Sequence, residues 1–284
     1  MKTYAFLNNK GGVGKSSSVQ AIAYNMAARF GKKVLVIDID PQANTTIVFS
    51  KIDLMELLRQ NEGITQRAEH PITIEDLLID AGIDINDAIQ KTEYEGLDII
   101  RSLPTLAAVE EQLKADIRTP QQFRLRSQLS KLDPDEYDYC LIDCGPSLSI
   151  LNINALVAAD EVFIPTQVDS GSLWGVSMTI HELVNPVRSY APQLMIGGIF
   201  ITRCKDNVKS TKEGFSLLQE LYPDKLLPFT INENAAVSNS NLARVPLPLY
   251  DKYSRSQATK DYRMLTEYIL APSRKKYIEK LMEG

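Results

Sequence analysis

The residues with the most chemistry in them are consecutive: Asn8-Asn9-Lys10-Gly11-Gly12-Val13-Gly14-Lys15-Ser16-Ser17. Three glycines in four positions permit positive φ and let several N–H groups converge on one anion, because no Cβ blocks the approach. Lys15 adds a point charge, and Ser16 adds a hydroxyl able to ligate Mg²⁺. An apolar run, Thr3 to Leu7, leads into the loop, and a helical pattern from Ser16 to Phe30 leaves it. That helix would aim its N-terminal dipole at the same anion. A glycine turn with solvated lysines accounts for the loop alone, but not for the strand before it and the helix after it. The combination favours a nucleoside triphosphate.

Acids follow at two strand ends. Lys33-Val34-Leu35-Val36-Ile37 is apolar without alternation, as a buried parallel strand is, and runs into Asp38-Ile39-Asp40-Pro41. Tyr137-Asp138-Tyr139-Cys140-Leu141-Ile142 does the same and ends in Asp143, then Gly145-Pro146-Ser147. In open α/β sheets ligands bind beyond the carboxyl ends of the strands, so these acids should meet the glycine loop in one crevice. Phosphoryl transfer depends mainly on positioning and charge stabilisation, which calls for a metal. Ser16 and Asp143 are its candidate holders, with Asp143 acting through water.

The remaining elements must place these groups. A chain of 284 residues with 44% hydrophobic content can bury a large core, and no composition break or low-complexity linker divides it. A single domain over 1–284 is expected, a doubly wound and mostly parallel sheet flanked by helices, with a helical C-terminal segment 254–284 packed on it. Patches at Asp53 to Gln60 and Ile74 to Leu78, a connection at Gly82 to Ile85, a strand at Leu97 to Ile100 and helices at Leu106 to Ile117 and Pro120 to Leu132 fill the middle. Met1-Lys2-Thr3-Tyr4 enters the first strand without a charged-then-apolar leader, and no apolar run reaches transmembrane length. A cytoplasmic protein is expected. The net charge of −5 leaves any nucleic-acid contact to a local basic patch. Cys140, Cys144 and Cys204 are odd in number and lack metal or redox spacing, so reduced thiols are expected.

Lys10 ahead of Gly-Gly-x-Gly-Lys-Ser, with Asp38-x-Asp40-Pro41-Gln42-x-Asn44, resembles the deviant Walker A ATPases, the ParA/Soj and MinD family. The stretches "GLDIIRSLPTLAAVEEQL" and, above all, "LSILNINALVAADEVFIPTQ" from Leu148 to Gln167 are similar to the ParA/Soj branch. The resemblance implies a P-loop fold, slow ATP hydrolysis with Mg²⁺, and a nucleotide-sandwich homodimer in which Lys10 of each copy reaches the other's ATP. It further implies that Lys10, Gly11, Gly12, Val13, Gly14, Lys15, Ser16 and Ser17 cradle the nucleotide, and that Asp40 orients the attacking water. Lys10, Lys15 and Asp40 are then the catalytic set, and Ser16, Asp38 and Asp143 surround the metal. By the same mapping, Asn232 and Asn234 lie near the adenine, and Asn154 sits on a helix that helps form the dimer. Trp174 replaces a family acid and reads as packing or interface.

Arg203 to Lys212 carries four basic residues in ten. Such a run is commonly a solvated face. The resemblance implies instead a basic segment that, in the ATP dimer, binds DNA without sequence preference: Arg203, Lys205, Lys209 and Lys212. The family's further DNA-contacting arginine maps onto Ala236, with Arg244, Arg255 or Lys260 as substitutes. The implied biology is nucleoid-associated segregation or positioning of plasmid or chromosomal cargo with a ParB-like partner. Alternatives are a MinD-like membrane-surface ATPase, suggested by the basic, apolar-striped end Arg274 to Met282, and an adaptor that binds only proteins. Docking of that end on the body is the expectation, not membrane attachment.

Overall fold

The computed structural model describes residues 1–50, 71–116, 120–205 and 209–283. In chain order they form β1 (Lys2–Phe6), α1 (Lys15–Ala28), β2 (Val34–Ile39), α2 (Asn44–Phe49), α3 (Ile74–Ile79), α4 (Ile85–Ala88), β3 (Gln90–Lys91), β4 (Leu97–Ile100), α5 (Leu106–Ala115) and α6 (Arg124–Leu129). Then come β5 (Tyr139–Cys144), α7 (Ile150–Ala158), β6 (Glu161–Thr166), α8 (Ser170–Met178) and α9 (Asn185–Arg188). The chain finishes with β7 (Met195–Cys204), α10 (Lys209–Leu221), β8 (Leu226–Asn232), α11 (Ala235–Leu242), α12 (Leu247–Tyr250), α13 (Gln257–Leu270) and α14 (Arg274–Glu283).

All eight strands join one sheet in the order β3-β4-β2-β5-β1-β6-β7-β8. Only the β3–β4 pair is antiparallel among them. The period of two along each strand sends alternate side chains to opposite faces. Tyr4, Phe6, Val34 and Val36 pack with Ile22 and Met26 of α1 and Tyr262 and Leu265 of α13. Ala5, Leu7, Leu35 and Ile37 pack on the other face with Leu113 of α5, Leu156 of α7 and Val176 of α8. Covered on both sides, β2 is buried at every position, which is why its sequence is apolar without alternation.

β1 lies between β5 and β6, yet the chain leaves it through α1 to reach β2 on the far side of β5. The carboxyl ends of β1, β2 and β5 therefore frame a crevice where the connections diverge. On β7, Gly197 is the extra residue of a bulge, because Val162 pairs with Ile196 and Phe163 with Gly198. A Cβ there would lie 2.5 Å from Glu161 Oε2 and 2.7 Å from Phe163 Cζ, so the bulge requires glycine.

The middle of the chain differs in detail from expectation. The patch at Asp53 to Gln60 lies outside the described residues. Ile85 opens a short helix where a connection was expected, and residues 120–132 form a 3₁₀ turn at Gln121–Phe123 followed by α6 instead of one long helix. Between α8 and α9, Thr179–Val184 is π-helical, for which hydrophobic period gives no signal. Asn154 is fully buried: its amide accepts from Leu125 N and donates to Gln121 O and Ile150 O, so it ties helices together internally and presents nothing to a partner. Trp174 is 67% exposed, which removes packing from its two expected roles. The three cysteines are free and buried.

At the chain's end α13 packs on α1 and β8. The first residue of α14, Arg274, ion-pairs with Glu161 and lies over the rings of Phe163 and Tyr268, each 5.3 Å from its centroid. The apolar stripe docks only in part. Tyr277 and Ile278 pack against the core, whereas Leu281 and Met282 are exposed.

Candidate nucleotide site

The glycine loop adopts the backbone its composition anticipates. Gly12 (φ 76°) and Gly14 (φ 84°) are left-handed, and Gly14 caps α1 without a side chain. Hydrogen bonds within the loop and to distant elements pin it. Asn8 Nδ2 donates to Pro165 O (2.8 Å), Lys10 N to Asn8 Oδ1 (2.9 Å), Asn9 N to Thr179 Oγ1 (2.9 Å) and Thr202 Oγ1 to Val13 O (2.8 Å). Lys15 is buried, its ammonium donating to Asn8 O (3.1 Å) and Lys10 O (3.0 Å). Burial lowers its pKa, while Asp143 and Asp40 oppose that shift.

Register across β2 and β5 sets Asp38 opposite Asp143. Both are fully buried, and desolvation followed by mutual repulsion pushes Asp38 well above the usual carboxylate range. Asp38 is already satisfied. Its Oδ1 accepts from Asp40 N (3.1 Å), and its Oδ2 accepts from Thr46 N (2.8 Å) and Thr46 Oγ1 (2.9 Å). It lies beneath the crevice and braces the turn that carries Asp40. Asp143 Oδ2 accepts from Thr45 Oγ1 (2.7 Å), and burial raises its pKa to about 6 against the lowering influence of Thr45 and Ser16. Its Oδ1 is buried with no hydrogen-bond partner among the described residues. Asp40 reaches the crevice. Ser102 Oγ donates to its carbonyl (2.7 Å), and its own Oδ1 accepts from Gln42 N (3.0 Å).

These groups bound a cleft of about 890 Å³. Gly11, Gly12, Gly14, Lys15, Ser16, Ser17 and Asp40 form one side, and Asn232 and Asn234 the other. Val13 is buried behind the loop, and Asp38 and Asp143 lie below the surface. Asn232 N donates to Asp261 Oδ2 (2.8 Å), and Asn234 caps α11 by accepting from Ala236 N (2.9 Å). Lys10 stands at the rim, paired with Asp169.

The basic residues expected to share one surface divide. Arg203 lines the cleft, with Nη1 3.4 Å from Gly12 O. Lys205 pairs with Glu233 (3.1 Å), Lys209 opens α10, and Lys212 is exposed on it. Arg244 is exposed at φ 55°. Thr45, Thr46, Ser102 and Asp169 were not singled out as site residues. The only cue to the threonines was their position just after Asp40-Pro41-Gln42, and nothing local marks Ser102.

The donor set suits a cation. A buried, unpartnered carboxylate oxygen beside a hydroxyl resembles a Mg²⁺ site, since Mg²⁺ takes one or two protein ligands and completes its shell with water and phosphate oxygens. Among the described residues no three His, Cys, Asp or Glu side chains form a closed cage.

A parallel sheet with a left-handed glycine loop at β1 and acids at the ends of β2 and β5 defines a P-loop nucleotide-binding protein. The family model described as "AAA domain" matches residues 1–196. The Bacillus subtilis sporulation initiation inhibitor protein Soj is 33% identical over 257 residues, covering 89% of this chain and 93% of Soj. The Caulobacter vibrioides chromosome partitioning protein ParA is 33% identical over 260 residues, covering 91% of each. A Borrelia burgdorferi plasmid partition protein, solved bound to AMPPNP, superposes with a TM-score of 0.67 at 26% identity, covering 99% of this chain and 98% of that one. The chain belongs to this AAA-domain family and, within it, to the ParA/Soj-type partition ATPases.

Proposed function

We propose that this chain is an ATP-driven dimerising switch that hydrolyses ATP slowly and, as the ATP dimer, holds DNA without sequence preference to segregate or position cargo. The observation that carries the nucleotide part is the cleft itself, in which a glycine loop, Lys15, Ser16 and Asp40 converge above the unpaired Asp143 oxygen. Mg²⁺, when bound, offsets the charge of the β- and γ-phosphates. Ser16 and, through water, Asp143 would hold it; Asp38, its oxygens taken by Thr46 and Asp40, would act by fixing the turn. Loop N–H groups and Lys15 bind the phosphate chain, and Asn232 and Asn234 border the base. Asp40 orients the attacking water. In the dimer Lys10 of each protomer reaches the other's phosphates. A low turnover suits a timer whose ligand shifts populations between two states.

Lys205, Lys209, Lys212 and Arg244 remain candidates for the DNA phosphates, and a ParB-like partner would stimulate hydrolysis. Titrating labelled duplex DNA with the protein in ADP, ATP and a slowly hydrolysed analogue tests the reading. ATP-selective, strongly salt-dependent binding is expected. Equal binding in all three nucleotides, or none even at low salt, contradicts it and favours a protein-only adaptor.

The exposed Leu281 and Met282 beside Lys275, Lys276 and Lys280 support a second reading, attachment to an anionic membrane surface. No helix among the described residues is long and apolar enough to cross a membrane. Under that reading, vesicle flotation would require ATP and fail with Leu281→Glu and Met282→Glu together.

A further inference from the structure

Arg203, the exposed penultimate residue of β7, takes a left-handed conformation (φ 50°) that an arginine rarely adopts. Both neighbours hold it there. Thr202 Oγ1 donates to Val13 O (2.8 Å) and lies 3.1 Å from Thr166 O, while Cys204 O accepts from Glu233 N (2.8 Å). The turn carries the side chain out of strand alternation and onto the cleft wall, where Nη1 sits 3.4 Å from Gly12 O in the phosphate loop.

The other cations at the cleft are held more tightly than by the single long bond from Arg203 to Gly12 O. Lys15 is buried against Asn8 O and Lys10 O, and Lys10 is paired with Asp169. Among the described residues no carboxylate pairs with Arg203, and the nearby Glu233 is engaged by Lys205. A guanidinium that faces a phosphate-binding loop and, among the described residues, has no carboxylate partner matches phosphate geometry with its forked donors.

From this placement we infer that Arg203 is a phosphate-chain contact for the bound nucleotide and no part of the DNA surface. The inference rests on the nucleotide reading of the cleft. A side chain covered by nucleotide within the cleft is not available to a duplex outside it. The phenol of Tyr262 shares the wall, and the positive charge of Arg203 partly offsets the upward shift that burial gives it.

The test pairs two measurements on Arg203→Ala, Arg203→Lys and Lys212→Ala. Affinity for a fluorescent ATP analogue with Mg²⁺ is read without DNA, and affinity for labelled duplex is read with the slowly hydrolysed analogue saturating. Arg203→Ala should weaken the nucleotide roughly tenfold or more, with part recovered by Arg203→Lys, and leave DNA affinity unchanged. Lys212→Ala should leave nucleotide affinity as it was. Unchanged nucleotide affinity in Arg203→Ala, with its melting temperature retained, overturns the inference, and a fall in DNA affinity alone would return Arg203 to the DNA group. Should the wild-type chain itself bind no ATP analogue, the reading of the cleft fails before that of Arg203.

Discussion

Lys10 is ion-paired to Asp169 of its own chain, across 159 positions of sequence. Asp169 also caps α8, accepting from Ser172 N (3.1 Å) and Ser172 Oγ (2.6 Å), so the lysine is held by the start of the helix that follows β6. In the proposed dimer that ammonium must leave for the partner's phosphates. Both side chains are partly exposed, at 35% and 48%, and such pairs are worth only ~0.2–1 kcal/mol, so release is cheap.

Lys10→Ala should therefore bind ATP and fail to dimerise in sedimentation. Asp169→Asn keeps the helix cap while removing the charge, and should lower the ATP concentration needed for dimerisation by about fivefold at most. A normal ATP-dependent dimer in Lys10→Ala would contradict the role given to the lysine.

Asp40→Ala should slow hydrolysis about a hundredfold or more while nucleotide binding and dimerisation persist. Single-turnover kinetics beside equilibrium binding separate the two. Unchanged turnover would remove Asp40 from the mechanism.

Asp143 supplies a pH signature. Burial raises its folded pKa from 3.8 to about 6. A raised pKa means that the folded state binds the proton more tightly, so the stabilisation is complete below the ordinary value and is lost as pH rises through about 6. Nucleotide-free protein should lose melting temperature from this group between about pH 4 and about pH 7, and Asp143→Asn should lack that component. Parallel pH profiles for the two proteins would show that the carboxylate titrates normally.

Gly197→Ala should destabilise the fold by ~1–3 kcal/mol, because the new methyl meets a carboxylate oxygen and a packed ring. Denaturant unfolding reads this directly, and an unchanged midpoint would mean that the bulge can relax.

Much of this architecture is visible in the sequence because buried parallel strands advertise themselves. Leu97 to Ile100 was readable as a strand at its observed bounds, and the acids ending β2 and β5 were readable from the apolar runs before them. What stays hidden depends on partners distant in the chain. That Asp38 is consumed by Thr46 follows from how α2 turns back over β2, and no spacing rule conveys it. Arg203 and Lys205 are two residues apart and look equivalent as charges, yet a left-handed backbone sends one to the cleft and the other to Glu233. Trp174 shows the limit of composition: an aromatic side chain suggests a contact without saying whether its own chain supplies it.

Arg274 roots the last helix on Glu161, the first residue of β6, at the opposite end of the strands from the cleft. Two copies meeting cleft to cleft would thus carry their tails on the outer sides of the pair. A dye, tag or tether fused after that helix should hang clear of the closing surfaces, so it could report on closure without obstructing it.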